Sequence, residues 1–191
     1  MEADTTPDVL IDALPDDATI CVIGWPDLIG DALLRRGDST VLAIDTDDDG
    51  MGSAAFVRRL QRADVDAEIV PAAGLSAAVL ASDLVVVEAL ATSETDMLAI
   101  TGSRALASVA YCAEVPVWAV VGCGRSLPTA LFDAMGQRPT DLREPWEAPA
   151  ETLPLALTHW VIGPGGVVPT AHAALRPECP MSYELLRSSA M

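Results

Sequence analysis

Short, nearly uninterrupted runs of Val, Ile, Leu and Ala recur along this chain, each separated from the next by a stretch with helical spacing. They stand at residues 19–24 (TICVIG), 40–44 (TVLAI), 67–70, 84–87 (LVVV) and 160–163 (WVIG). A strand that is apolar on both faces must be covered on both faces, which is the condition of a parallel sheet between two helical layers. The intervening stretches fit that reading. Residues 52–63 place Phe56, Leu60 and Ala63 on one face and Arg58, Arg59 and Arg62 off it, the pattern of an amphipathic helix. Further helices are predicted from the first strand's end to about Arg36 and over residues 75–80. The fold class is therefore α/β, Rossmann-like, a mainly parallel sheet with helices on both faces in a single domain.

Residues 83–128 carry the densest signal. They read as buried strand, polar loop, a glycine-bearing helix start, helix, and a second buried strand ending in a Gly-rich loop. Such a unit sets two polar loops side by side at the carboxyl ends of parallel strands, where open α/β sheets bind ligands. The first 17 residues read as an N-terminal arm or short helix, and residues 18–191 as the domain. The proline- and acid-rich stretch 137–152 reads as a loop, Trp160–Gly163 as the last buried strand with a turn at 164–166, and 181–187 as a terminal helix.

Charge narrows the partners. With 28 acidic and 11 basic residues the formal charge is −17, and every basic residue is arginine. Self-repulsion at that charge weakens as salt shortens the Debye length, so acid excess without lysine fits a salt-rich cytoplasm. There is no basic stripe to neutralise phosphates, so direct nucleic-acid binding is not expected. Apolar runs of about five to seven residues fall far short of the roughly 20 of a membrane helix, and the acidic start has no apolar signal region. A cytoplasmic protein without membrane contact follows. Cys21, Cys112, Cys123 and Cys179 form no CxxC pair, so no zinc site is expected. Cys21 and Cys112 lie in apolar segments, where a thiol serves as a small hydrophobe.

The order of these segments resembles one family. Residues 83–90 (DLVVVEAL), then Thr101-Gly102-Ser103, Leu106-Ala107 and Val115-Pro116-Val117 follow a pattern in which a strand ends in Gly-Ala-Asp, Asn-Lys-Ile-Gly-Thr opens a helix, and Pro-Val begins the next strand. Asp45-Thr46 followed by Gly52 fits an earlier Glu-Thr-Arg-Pro…Gly segment. From about Ala18 to Arg187 the chain resembles the C-terminal domain of the alpha, beta and delta subunits of translation initiation factor 2B. Methylthioribose-1-phosphate and ribose-1,5-bisphosphate isomerases share that domain.

What the resemblance implies is mostly loss. The catalytic aspartate of Gly-Ala-Asp falls on Leu90, and the segment that bears the catalytic cysteine is 23–27 here and has none. The phosphate-contacting arginine falls on Asp47, Asn-Lys falls on Ala99-Ile100, and the long helical domain before this one is not in the sequence. A proton-shuttling isomerase needs a base in reach and a group to hold the phosphate. The reading is a non-catalytic, binding or regulatory protein that forms a homodimer, with a sugar phosphate or nucleoside monophosphate as the implied ligand class and no cofactor or metal. An isomerase with a reassigned site is the alternative, with Glu88 as its base and Arg104 or Arg125 for phosphate.

The candidate ligand-binding residues are Gly24, Trp25, Asp45, Glu88, Gly102, Ser103, Arg104, Gly122, Gly124 and Arg125. Gly102-Ser103-Arg104 opens a helix, whose free N–H groups favour anions, although Ser103 could simply cap it. Gly122 to Arg125 could bring backbone close to a ligand or be a plain turn. Glu88, at a strand end facing the crevice, could be a base with a raised pKa or the partner of an arginine. Asp45 could contact a ribose hydroxyl or belong to a solvated acidic loop. His159 and His172 read as structural or surface residues.

Overall fold

A computed structural model describes residues 3–46, 51–140 and 144–181. The strands expected from the apolar runs form the large sheet: β1 (Thr19–Ile23), β2 (Thr40–Ile44), β3 (Asp66–Val70), β4 (Leu84–Glu88), β7 (Val117–Val120) and β9 (Trp160–Gly163). With β10 (Gly166–Pro169) at one edge, its order is β10-β9-β7-β4-β1-β2-β3. The strands β1, β2, β3, β4, β7 and β9 are parallel throughout, and β10 turns back antiparallel to β9. So β9 is the last buried strand, as expected, but not the last strand of the sheet: the Pro164-Gly165 turn makes a two-residue hairpin, and β10, with no buried residue, becomes the edge.

The strand side chains alternate between two cores. Ile20 and Val22 join Leu10 of α1 (Thr6–Ala13), Leu33 of α2 (Asp27–Arg36) and Phe56 of α3 (Met51–Gln61) on one face. Cys21 and Ile23 join Val79 of α4 (Leu75–Leu80) and Leu106 of α5 (Ser103–Cys112) on the other. Helices thus cover both faces, as the double-sided apolar strands require.

Of the two readings left open for residues 1–17, the short helix holds: α1 lies within them, and Leu10 and Leu14 are buried. Two other readings change. The segment between Glu88 and Gly102 is not a polar loop but β5 (Ala91–Thr92) and β6 (Asp96–Ile100). Residues 137–152 are only partly loop, because α6 (Thr129–Thr140) runs into them, a 3-10 turn covers Pro145–Glu147, and β8 starts at Ala150. β5, β6 and β8 (Ala150–Pro154) make a small antiparallel sheet. Its alternation is the period-2 pattern of a strand: Met97, Ala99 and Leu153 point into the main core, and Leu98 and Ala150 meet Phe132 of α6. In sequence, ETDMLAI and AETLPLAL are too short and too mixed to show this alternation as a sheet.

The expected helix at 181–187, but for Met181, and positions 47–50, Asp47 among them, lie outside the described residues. Cys112 closes α5 on the surface rather than packing as a small hydrophobe; the apolar segment around it turns its buried side through Leu106, Ala107 and Ala110.

Candidate functional site

The strand order reverses direction between β1 and β4: β2 and β3 extend one way, β7 and β9 the other. In open α/β sheets the crevice at such a switch point, beyond the carboxyl ends of the strands, is the usual ligand site. A cavity of about 270 Å³ opens there, lined by Trp25, Pro26, Asp27, Glu88, Leu90, Ile100 and Arg125 with Ile23 and Pro149. A second groove of about 470 Å³ continues past the ends of β1 and β2 to Asp45, Gly102 and Trp146. The chain therefore brings Trp25, Glu88 and Arg125 together in one cavity and Trp25, Asp45 and Gly102 in the other. Ser103, Arg104, Gly122 and Gly124 line neither.

Two of the predicted glycines serve the joint between loops. Gly24 has φ +68° and Gly102 φ +97°. A Cβ on Gly24 would stand 2.8 Å from Ile100 Cδ1, and one on Gly102 2.8 Å from Ile23 Cδ1. Each loop rests on the isoleucine of the other, so both positions need glycine for conformation and for contact.

Helix α2 begins behind Pro26, which has no side-chain oxygen to cap it. Its first amides are instead met by Glu88: Oε2 accepts from Leu28 N at 2.9 Å and Ile29 N at 3.2 Å. The other oxygen, Oε1, accepts from Arg125 Nη1 at 2.8 Å, and Arg125 also donates to the Ala89 carbonyl. Burial pushes the Glu88 carboxyl above its ordinary value, with the Arg125 charge and the helix amides pulling it back. Both oxygens are committed and the cation is neutralised, the arginine-pairing outcome weighed for this residue. Three of the roughly four acceptor sites of the carboxylate are thereby taken, which leaves one on Oε1.

Helix α5 repeats the device. Its N-cap is Gly102, which makes no side-chain cap. Glu151 of β8 takes the place, its Oε1 accepting from Gly102 N at 2.7 Å and Arg104 N at 2.9 Å. Ser103 does not cap: its hydroxyl is buried without a hydrogen-bond partner among the described residues. The Arg104 side chain points to solvent.

The loop after β7 is held the same way. Asp4 accepts from Cys123 N at 2.9 Å through Oδ2, and from Thr6 N and Oγ1 at 3.0 and 2.6 Å through Oδ1. Burial raises the Asp4 carboxyl, but the bonds from Thr6 and Cys123 outweigh it and leave it below its ordinary value. Gly122 lies against this carboxylate, since a Cβ there would meet Asp4 Oδ2 at 2.6 Å, and Gly124 is the exposed corner of the turn at φ +77°.

Backbone amides at these three places are where a helix N-terminus or a Gly-rich turn would receive an anionic ligand. In this chain each set is filled by a carboxylate of the chain itself. Sequence analysis found Glu88 but missed Glu151 and Asp4. The only cue would have been the poor capping residues Pro26 and Gly102, which leave donors that something else must satisfy.

Cys21 is buried within β1, and desolvation pushes its thiol up to about 12, so it forms no nucleophilic thiolate near neutral pH. Leu90 is a half-exposed leucine on the cavity wall. His159 is structural, its Nδ1 accepting from Val117 N at 3.0 Å. Among the described residues no group of three His, Cys, Asp or Glu could hold a metal ion, and no helix is long and apolar enough to cross a membrane.

No protein-family model and no curated protein matches the sequence. Solved structures do. The translation initiation factor eIF-2B of Pyrococcus horikoshii OT3 superposes with a TM-score of 0.71 at 12% identity, over 85% of this chain and 62% of that one. The fold is that of the initiation factor 2B subunits. The beta subunit from Chaetomium thermophilum gives 0.68 at 17% identity, over 88% of this chain and 52% of that one. The delta subunit from A. fulgidus gives 0.67 at 14%, over 86% and 57%. The initiation factor 2B fold thus accounts for nearly all of this chain, which spans between 52% and 62% of those three subunits.

Proposed function

We propose that this chain is a non-catalytic member of the initiation factor 2B alpha, beta and delta family that works by binding, as a regulatory protein and a homodimer in a salt-rich cytoplasm. One observation carries the reading: Glu88, Glu151 and Asp4 accept from amides of the loops and helix starts at the carboxyl ends of the strands, donors that a phosphate bound there would otherwise use. A phosphorylated sugar or nucleotide would have to displace a carboxylate and face the charge of −17 around it. Arg125, the cation of the cavity wall, is held by Glu88. The residues that the isomerases use fall on Leu90 and on a segment without cysteine, which supports the loss of turnover. The tetrameric assembly of beta and delta subunits from C. thermophilum, which matches this chain at a TM-score of 0.69, supports self-association.

The test is a thermal-shift and turnover screen in molar potassium chloride against methylthioribose 1-phosphate, ribose 1,5-bisphosphate and nucleoside monophosphates. A ligand at 100 times its dissociation constant stabilises by about 2.7 kcal/mol, a shift of several degrees. The expected result is no shift and no ketose product. Turnover that disappears in Glu88→Gln would establish the reassigned isomerase instead.

A further inference from the structure

The two edges of the large sheet differ in chemistry. At one, β3 exposes Asp66 and Glu68, charges that deter another strand from pairing. At the other, β10 has no buried residue, and Val167 and Val168 are 38% and 36% exposed. Among the described residues no strand pairs with the outer side of β10. From Thr152 to Leu175 the sequence has no Asp, Glu, Lys or Arg, although the whole chain carries −17.

The register decides which groups that edge presents. Val121 N donates to the Ile162 carbonyl at 2.8 Å, so Ile162 turns its backbone toward β7. Val167 stands opposite Ile162, and Val168 opposite Val161. Opposed residues of an antiparallel pair alternate between bonded and non-bonded, and the bond from Thr170 N to His159 O, 2.9 Å, agrees in phase. Val168 therefore bonds to β9, and the N–H and C=O of Val167 face away from the sheet. Pro169, the next residue on that outward side, has a carbonyl but no N–H, so the free edge centres on Val167.

A residue that offers both donor and acceptor can pair with its own copy across a two-fold axis, each giving one bond and taking one. Charge selects that occupant. Two copies at −17 repel wherever their acidic surfaces approach, and a span without charged side chains is where they can meet. A basic partner would be drawn to the acid-rich surface instead.

We propose that β10 pairs antiparallel with β10 of a second copy, with Val167 of each copy facing the other on the two-fold axis, so that one sheet runs through both subunits. The inference rests on the homodimer reading above and names its contact.

The test measures mass by light scattering and hydrogen exchange at the Val167 amide, across a dilution series in molar potassium chloride. The unmodified protein is expected to be a dimer with a slowed Val167 amide at high concentration and to lose both on dilution. Val167→Glu and Val167→Lys, each at an exposed position, set like charges face to face and should each weaken the dimer about tenfold or more. An equimolar mixture of the two should recover the dimer, because opposite charges then meet; damage to the fold would not be cured by mixing. If the variants misfold, the Val167 amide of the unmodified protein decides. A dimer whose Val167 amide exchanges fast, or that both variants leave intact, overturns the inference and leaves the homodimer reading standing. A monomer at every concentration, whether that amide is slow or fast, overturns both.

Discussion

Replacing Glu88 with alanine should lower stability by about 3–4 kcal/mol, near the range for removing one partner of a buried ion pair. At about 2–4 °C per kcal/mol for a chain of this size, the melting temperature should fall by roughly 6–16 °C. Glu88 is 10% exposed and Arg125 23% exposed at the side chain, so the orphaned guanidinium keeps some contact with water, and the lower half of that span is the better expectation. The loss has two sources: Arg125 loses its counter-ion, and Leu28 N and Ile29 N lose their acceptor at a helix start that Pro26 cannot cap. Glu88→Gln separates them, because the amide oxygen can still accept from α2 while the charge is gone.

The pH dependence has a definite sign. A carboxyl raised in the folded state contributes its stability below the ordinary glutamate range, and loses it as pH climbs through the folded value. The Gln variant should therefore show a shallower fall in stability over that window than the parent. A steeper fall would mean that the Arg125 charge, rather than burial, dominates at this position.

Leu10→Ala should be of similar size. Leu10 is fully buried in the core that α1 shares with α2, α3 and the sheet, and a Leu→Ala change at such a site costs about 2–5 kcal/mol, the larger values where the cavity cannot collapse. Its unfolding midpoint in urea should drop with an unchanged slope. A change under about 0.5 kcal/mol would mean that residues before Ala18 are dispensable for the sheet, as an arm would be.

That second prediction falls where the sequence left an arm and a short helix both open. TTPDVLIDAL is half apolar, with Val9, Leu10, Ile11, Ala13 and Leu14, but eight residues of helix are too few for periodicity alone to separate a docked helix from an arm. β1, β2 and β4 stood out because both of their faces are apolar, so burial needed no periodicity to be seen; β3, at the sheet edge, exposes Asp66 and Glu68 on one face. β5, β6 and β8 were illegible for the opposite reason: their stability comes from pairing between residues 96–100 and 150–154, and nothing local in either segment announces the other.

The candidate site divides along the same line. Glu88 could be found because it ends a conspicuous strand. Its partner Arg125 was a candidate in its own right, but the commitment of both Glu88 oxygens appears only when α2 docks over β4. Glu151 lies 49 residues from Gly102 and Asp4 119 residues from Cys123. Contacts of that separation are properties of the fold, and they turn a set of open anion-binding amides into a set already satisfied.

The most direct test of that account is the thermal shift produced by inorganic phosphate, at fixed ionic strength, in the parent protein and in Glu151→Ala. Losing the α5 cap should lower the variant's stability by about 0.5–2 kcal/mol, and phosphate should restore part of it by taking the freed Gly102 and Arg104 amides. The parent, with Glu151 in place, should not respond. A parent protein stabilised by phosphate as strongly as the variant would contradict the account, since those amides would then be open to a ligand while Glu151 is present.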